Sequence, residues 1–258
     1  MPLREGDSQG PSYAVASLSM YLTTLGRAPI KGCRRERVRE VTVDAAGLAG
    51  DRSLAFVADG MALRTMANPE LLALRVSVMG CEVRLTLPTG ESATQSIGPG
   101  ERALIDYWGR PLPMALQPGP VSDLASEHLG RRVLLGSIRP PRRAIYANPV
   151  SVGLTSRFAE LGCEKDAERF RCNLVVDDSD DPVGEAAWVG RSIRIGDVVL
   201  SLAKRLERCV VIDRDPITGE RDRRLFAELG ASGDPWVALG ADVTNPGVLR
   251  VGQPVEWL

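Results

Sequence analysis

The shortness of its apolar runs is what most restricts how this chain can fold. Between Gly, Pro and Asp turns, "ERVREVTVD", "DRSLAFVADG", "LLALRVSVMG", "CEVRLTLPTG", "RFRCNLVVDD", "RSIRIGD" and "VVLSLAKR" each show partial period-two alternation. That pattern marks strands with one buried face. No internal repeat or G-x-G-x-x-G fingerprint appears. The expected fold is mainly β, of the α+β type, with barrels or strongly bent sheets and a few short helices. Helices are predicted at residues 121–129, 153–162 and 222–229. The first, in "VSDLASEHLG", has Ser122 or Asp123 as its cap and Gly130 as its stop. It carries the chain's single histidine, His128, which is assigned a surface or packing role.

With 258 residues the chain can bury a sizeable core in one large domain or two modest ones. The Gly- and Pro-rich stretch "WGRPLPMALQPGP" suggests a boundary, giving a loose polar tail at 1–14, an N-terminal domain at 15–114 and a C-terminal domain at 115–258. The apolar run "YAVASLSMYL" is too short to span a bilayer and lacks a basic n-region, so it reads as a first strand. A cytoplasmic protein with no membrane partner is expected. The 32 basic residues nearly cancel the 33 acidic ones, which argues against a general nucleic-acid surface. Any anion site must therefore be a local cluster.

The five cysteines, Cys33, Cys81, Cys163, Cys172 and Cys209, are scattered, odd in number and contain no C-x-x-C pair. This disfavours a disulfide framework, a zinc site and a self-contained iron–sulfur cluster. Two segments carry candidate chemistry. Read as a strand, "RFRCNLVVD" places Phe170, Cys172, Leu174 and Val176 on one face and Arg169, Arg171 and Asn173 on the other. Residues i and i+2 of a strand lie about 6.5–7 Å apart, so Arg171 and Asn173 could grip one ligand together. "RSIRIGDVVLSLAKRLERCVVI" reads as a hairpin turning at Gly196-Asp197 and running on to Cys209, before a turn in "DRDPITGE". If Arg205 and Arg208 point towards Cys209, they favour its thiolate and prime it as a nucleophile or soft metal ligand. A buried packing cysteine is the other reading of the same residues.

In order and spacing, "RFRCNLVVD", "WVGRSIRIGDVVL", "RCVVIDRDPITGE" and "NPGVLRVGQPVEWL" resemble the MOSC domain, the C-terminal module of molybdenum cofactor sulfurases that is also found in amidoxime-reducing proteins. "APIKGC", "AGLAGDRSLAFVADG" and "RTMANPELLALRV" resemble the β-barrel domain that precedes it. The resemblance implies a MOSC-type β-barrel behind an N-terminal β-barrel domain, and it resolves the two readings of Cys209 in favour of chemistry.

As the resemblance implies, Cys209 is the protein ligand to molybdenum in a molybdenum cofactor, Mo-molybdopterin. Lys31, Arg52, Arg171, Asn173 and Arg208 hold the cofactor's anionic end and pterin, and Thr155 and Ser156 add polar contacts; Asp51 is expected to orient Arg52 or cap a turn without touching the ligand. The chain departs from the family pattern at Gly32, often serine, and at Cys172, usually proline. The implied activity is reduction of N-hydroxylated or related N-oxygenated small molecules, with electrons from an external ferredoxin-like or cytochrome-b5-like partner. The alternatives are a cofactor carrier or sulfur-transfer protein using the same cysteine, and a MOSC-fold binding module without molybdenum.

Overall fold

Alternation marks most of the strands by the face that each buries. In Glu40–Asp44, Val41 and Val43 point into the core while Glu40, Thr42 and Asp44 face solvent. The computed structural model describes residues 20–138, 144–145, 147–180 and 184–258. The expected tail at 1–14 and the start of the first expected strand lie outside the described residues.

An eight-stranded sheet runs in the order Leu174–Asp177, Val150–Leu154, Trp236–Asn245, Val198–Glu207, Ser192–Ile195, Pro254–Trp257, Met20–Arg27, Glu36–Val38. Met20–Arg27 also pairs with Leu174–Asp177, so the sheet closes on itself and only Glu36–Val38 lies outside the ring. Closure satisfies strand edges that would otherwise be open to aggregation. Its interior is filled by Leu22, Leu25, Val152, Leu174, Val176, Leu200, Leu202 and Leu239, all fully buried. Burying each such side chain contributes about 1.5–3 kcal/mol.

A second closed barrel joins Glu101–Tyr107, Arg110–Gln117, Leu134–Ile138, Leu54–Ala58 and Met61–Ala62. Two three-stranded sheets complete the β structure among the described residues. One pairs Glu40–Asp44 with Gly247–Arg250 and Gly47–Leu48. The other is Arg75–Met79, Glu82–Thr86 and Ser92–Ser96. The mainly β architecture expected from the sequence is what the structure has.

The expected boundary at 114/115 does not follow the sheets. It falls inside the strand Arg110–Gln117, and Leu134–Ile138 completes the smaller barrel. Conversely, Met20–Arg27 belongs to the larger one. The two halves are thus interleaved, and Ala28–Cys33, leaving the larger barrel, reaches Leu54 of the smaller through a bridge at Ile30. That crossing prepares the site described below.

Two local expectations change. The helix at 121–129 begins at Pro120 behind Gly119, because proline's missing N–H costs nothing in a first turn. Ser122 lies within that turn, donating to the Gln117 carbonyl at 2.7 Å and accepting from Leu135 N at 2.9 Å, while Asp123 is exposed. Gly130 ends the helix in a left-handed conformation, as expected. The third helix is Leu225–Ser232, shifted from 222–229, and the second is Thr155–Glu160, inside 153–162.

The segment around Arg171 is the larger correction. Glu164–Phe170 is a 3-10 helix, Arg171 takes a left-handed backbone at φ 53°, and strand begins only at Leu174. Arg169, Arg171 and Asn173 therefore do not share a strand face. Arg169 is buried and forks onto Asp222 at 2.7 and 2.5 Å. The apolar set was read correctly as buried, Cys172 included.

Candidate functional site

Three chain segments meet where the barrels cross. The first is Lys31-Gly32-Cys33, a turn closed by Cys33 N donating to the Ile30 carbonyl at 3.1 Å, while Lys31 N donates to the Leu54 carbonyl at 2.8 Å. Gly32 has φ +88°. A Cβ there would come within 3.0 Å of both Leu71 Cδ1 and Thr65 Oγ1, so a serine at this position would be strained and crowded.

The second segment is Asp51-Arg52. Asp51 is buried, its Oδ1 accepting from Ala28 N at 2.8 Å and its Oδ2 from Arg52 Nη1 at 2.5 Å. Asp51 thus orients Arg52, as expected, and its charge is shared with the third segment. There Asn173 donates through Nδ2 to Asp51 Oδ2 at 3.1 Å and to the Gly26 carbonyl at 3.2 Å. Its Oδ1 accepts from Ser151 N at 3.1 Å and Ser151 Oγ at 2.9 Å. Asn173 is buried with its amide committed within the protein, so it steadies Asp51.

Arg171 donates through Nη2 to the Cys33 carbonyl at 2.6 Å, while its Nη1 is buried with no partner among the described residues. Arg52 and Arg171 both hold left-handed backbones, at φ 47° and 53°. Such conformations are costly for residues with a Cβ and persist only where surroundings enforce them.

Lys31, Arg52 and Arg171 lie within electrostatic reach of one another. Burial, then the charges of Arg52 and Arg171, lower the Lys31 pKa to about 7, against the pull of Asp51 and Cys209. Burial, then Arg52, lowers Arg171 to about 10. The Lys31 ammonium also lies 5.6 Å from the centroid of the Tyr107 ring. Asp51 is the carboxylate that acts on both Lys31 and Arg171 and pairs with Arg52.

Cys209 is exposed and precedes the 3-10 helix Val210–Asp213. The hairpin leading to it turns at Gly196-Asp197 as expected. Both neighbouring arginines have other hydrogen-bond partners. Arg205 bonds Glu185 Oε1 and Asp234 Oδ2, each at 2.9 Å, and Arg208 donates through Nη1 to the Phe170 carbonyl at 2.9 Å. Cys33, Cys163 and Cys172 are buried, and burial pushes the Cys33 thiol up to about 12.

Lys31 lies within electrostatic reach of Arg52, Arg171 and Cys209. Thr155 and Ser156 instead bond to carboxylates, Thr155 Oγ1 to Asp177 and Asp178 at 3.1 Å and Ser156 Oγ to Asp178 at 2.5 Å. Sequence reasoning missed Ser151 and Tyr107. Their only signal was a polar residue in an apolar strand and an aromatic beside a turn.

A family model described as MOSC domain matches residues 142–256, and one described as MOSC N-terminal beta barrel domain matches residues 19–130. The chain belongs to the MOSC family. This MOSC protein is 23% identical over 243 residues to a Caenorhabditis elegans protein named Molybdenum cofactor sulfurase, covering 87% of this chain and 34% of that one. It thus spans about a third of that relative's length. Among solved structures, the YUAD protein from Bacillus subtilis matches with TM-score 0.41 and 9% identity, covering 92% of this chain and 94% of that one. YiiM from Escherichia coli matches with TM-score 0.32 and 15% identity over 43% of this chain and 55% of its own. The MOSC protein has no helix among the described residues long and apolar enough to cross a membrane.

Proposed function

We propose that the protein binds the molybdenum cofactor with Cys209 as its ligand to the metal, and reduces N-hydroxylated or related N-oxygenated small molecules with electrons from a ferredoxin-like or cytochrome-b5-like donor. The observation that carries this reading is the cation cluster of Lys31, Arg52 and Arg171 beside an exposed thiol, with Arg171 Nη1 left unpartnered.

The cluster fits an anionic group. Guanidinium forks match phosphate oxygens, and an anion beside Lys31 would restore its full charge. A thiolate is a soft ligand suited to such a metal. Among the described residues no three His, Cys, Asp or Glu side chains converge as a metal site, so the metal's other ligands would come from the cofactor. When bound, the cofactor supplies two-electron oxygen-atom chemistry. The chain's own part would be to hold the anionic end with Lys31, Arg52 and Arg171, to fix Arg52 through Asp51, and to present the exposed Cys209 to the metal. The five free cysteines support a reducing, cytoplasmic setting.

A second reading, cofactor carriage or sulfur transfer through the same cysteine, is favoured by the exposure of Cys209 and by the name of the nematode relative. One experiment separates them. The parent and Cys209→Ala are made in a cofactor-producing host, and molybdenum and pterin per chain are measured alongside hydroxylamine turnover with a chemical reductant. Near-stoichiometric cofactor with turnover, and molybdenum lost in the variant, supports the reductase. Cofactor passed to an apo-enzyme without turnover supports the carrier. No cofactor in either protein, beside a loaded control, would leave a MOSC-fold binding module without molybdenum.

A further inference from the structure

We infer that Arg208 is a positioning residue that locks the Cys209 thiol in register with Arg171, and does not itself contact the cofactor. The inference rests on the proposed role of Cys209. Arg208 Nη1 donates to the Phe170 carbonyl at 2.9 Å, and its Nε lies 3.4 Å from the Leu206 carbonyl. Phe170 directly precedes Arg171, so the side chain of one residue flanking the thiol grips the backbone of one flanking the orphaned guanidinium.

Both ends of this brace are anchored. The Phe170 ring stacks on Phe158 with centroids 4.9 Å apart and planes 6° from parallel, in a buried cluster that also holds Ile212. Ile212 lies in the 3-10 helix that follows Cys209. The cysteine is thus held through Arg208 on one side and Ile212 on the other, and both lead to Phe170. The strand before it needs such support, because Val198–Glu207 breaks register with Trp236–Asn245 between Leu202 and Lys204 and again between Arg205 and Glu207. A bulged strand end re-aims its side chains and does not fix their direction alone.

The test compares Arg208→Gln, Arg208→Lys and Arg171→Gln in the loaded protein. Partners that orient a metal ligand typically change metal affinity or activity about 10–100-fold when replaced. Arg208→Gln should keep parental pterin per chain while the protein sulfur at molybdenum, read by X-ray absorption, is lost or disordered. Arg208→Lys, which can still donate to the Phe170 carbonyl, should recover it in part. Arg171→Gln should lose pterin itself. Equal pterin loss in Arg208→Gln and Arg171→Gln, with both folded by circular dichroism, would overturn the inference, as would an unchanged sulfur signal in Arg208→Gln.

The brace is also read without cofactor, so its failure can be told from that of the proposed function. In a Cys81→Ser background, which removes the other exposed thiol, Cys209 is alkylated with iodoacetamide at one fixed pH. A rate in Arg208→Gln several-fold from the parent's, returning towards it in Arg208→Lys, supports the brace even if the parent proves to bind no pterin. Identical rates in all three proteins sink it.

Discussion

At the scale of single residues, Lys31 is the most telling. Its pKa of about 7 in the folded protein lies below the ordinary 10.5 of an exposed lysine. The unfolded chain therefore binds more protons between those values, and the protein as described gains stability as pH rises from about 7 towards 10.5. Lys31→Met removes that dependence. It should be the more stable of the two at about pH 6, with the gap closing as pH rises through and above 7. Urea melts at both ends of the range check this, and a gap independent of pH would contradict it. The same titration predicts that sulfate, a dianion throughout this range, binds the cluster more weakly above about pH 7, where Lys31 sheds its charge, readable by calorimetry. Part of this neighbourhood is legible in the sequence, where family resemblance singles out Lys31, Arg52, Arg171 and Cys209, and Lys31 lies within electrostatic reach of the other three. What each side chain does was less legible, because hydrogen bonding is settled in three dimensions. Asn173 was chosen as a ligand contact and is consumed by Ser151 and Asp51. Arg208, chosen for the same cluster, reaches the Phe170 carbonyl.

Among the elements, the 3-10 helix Glu164–Phe170 organises the site. Its Glu168 bridges Arg35 and Arg37 of the N-terminal half, both at 2.6 Å, and its Asp166 pairs with Arg223. Burial opposes the charge on Glu168, but the two guanidinium groups outweigh it and hold the carboxyl below its ordinary range. The contribution is thus present above about pH 4.5 and lost as pH falls through the lower folded value. Glu168→Gln strands Arg35, whose side chain is 6% exposed, and should cost about 2 kcal/mol at neutral pH. A chemical denaturation series on parent and variant from neutral to acid pH measures it; an equal difference at all pH values would count against the pairing. Sequence alternation could not show this helix. Phe170, Cys172, Leu174 and Val176 alternate as a strand does, yet the left-handed backbone at Arg171 interrupts the run. Arginine gives no local cue for that conformation. The hairpin at Gly196-Asp197 was legible because its two-residue turn and flanking β-branched residues agree.

For the whole molecule, the decisive fact is that the halves share sheets. A fragment of residues 115–258 lacks Met20–Arg27, which lies between Leu174–Asp177 and Pro254–Trp257. It would expose both strand edges and the cavity left by Leu22 and Leu25. Expressed alone it should be insoluble or lack a cooperative melt, and a sharp two-state transition by circular dichroism would refute this. The Gly- and Pro-rich stretch that suggests the boundary contains the barrel strand Arg110–Gln117, because proline is tolerated where its missing N–H breaks no pairing. The pairing of Met20 with Val255 sets an order of events in the cell. Met20–Arg27 is made more than two hundred residues before its partner Pro254–Trp257, so the ring cannot close until both have emerged from the ribosome. Under the proposed function, a cofactor would therefore be taken up only after Pro254–Trp257 has joined the ring.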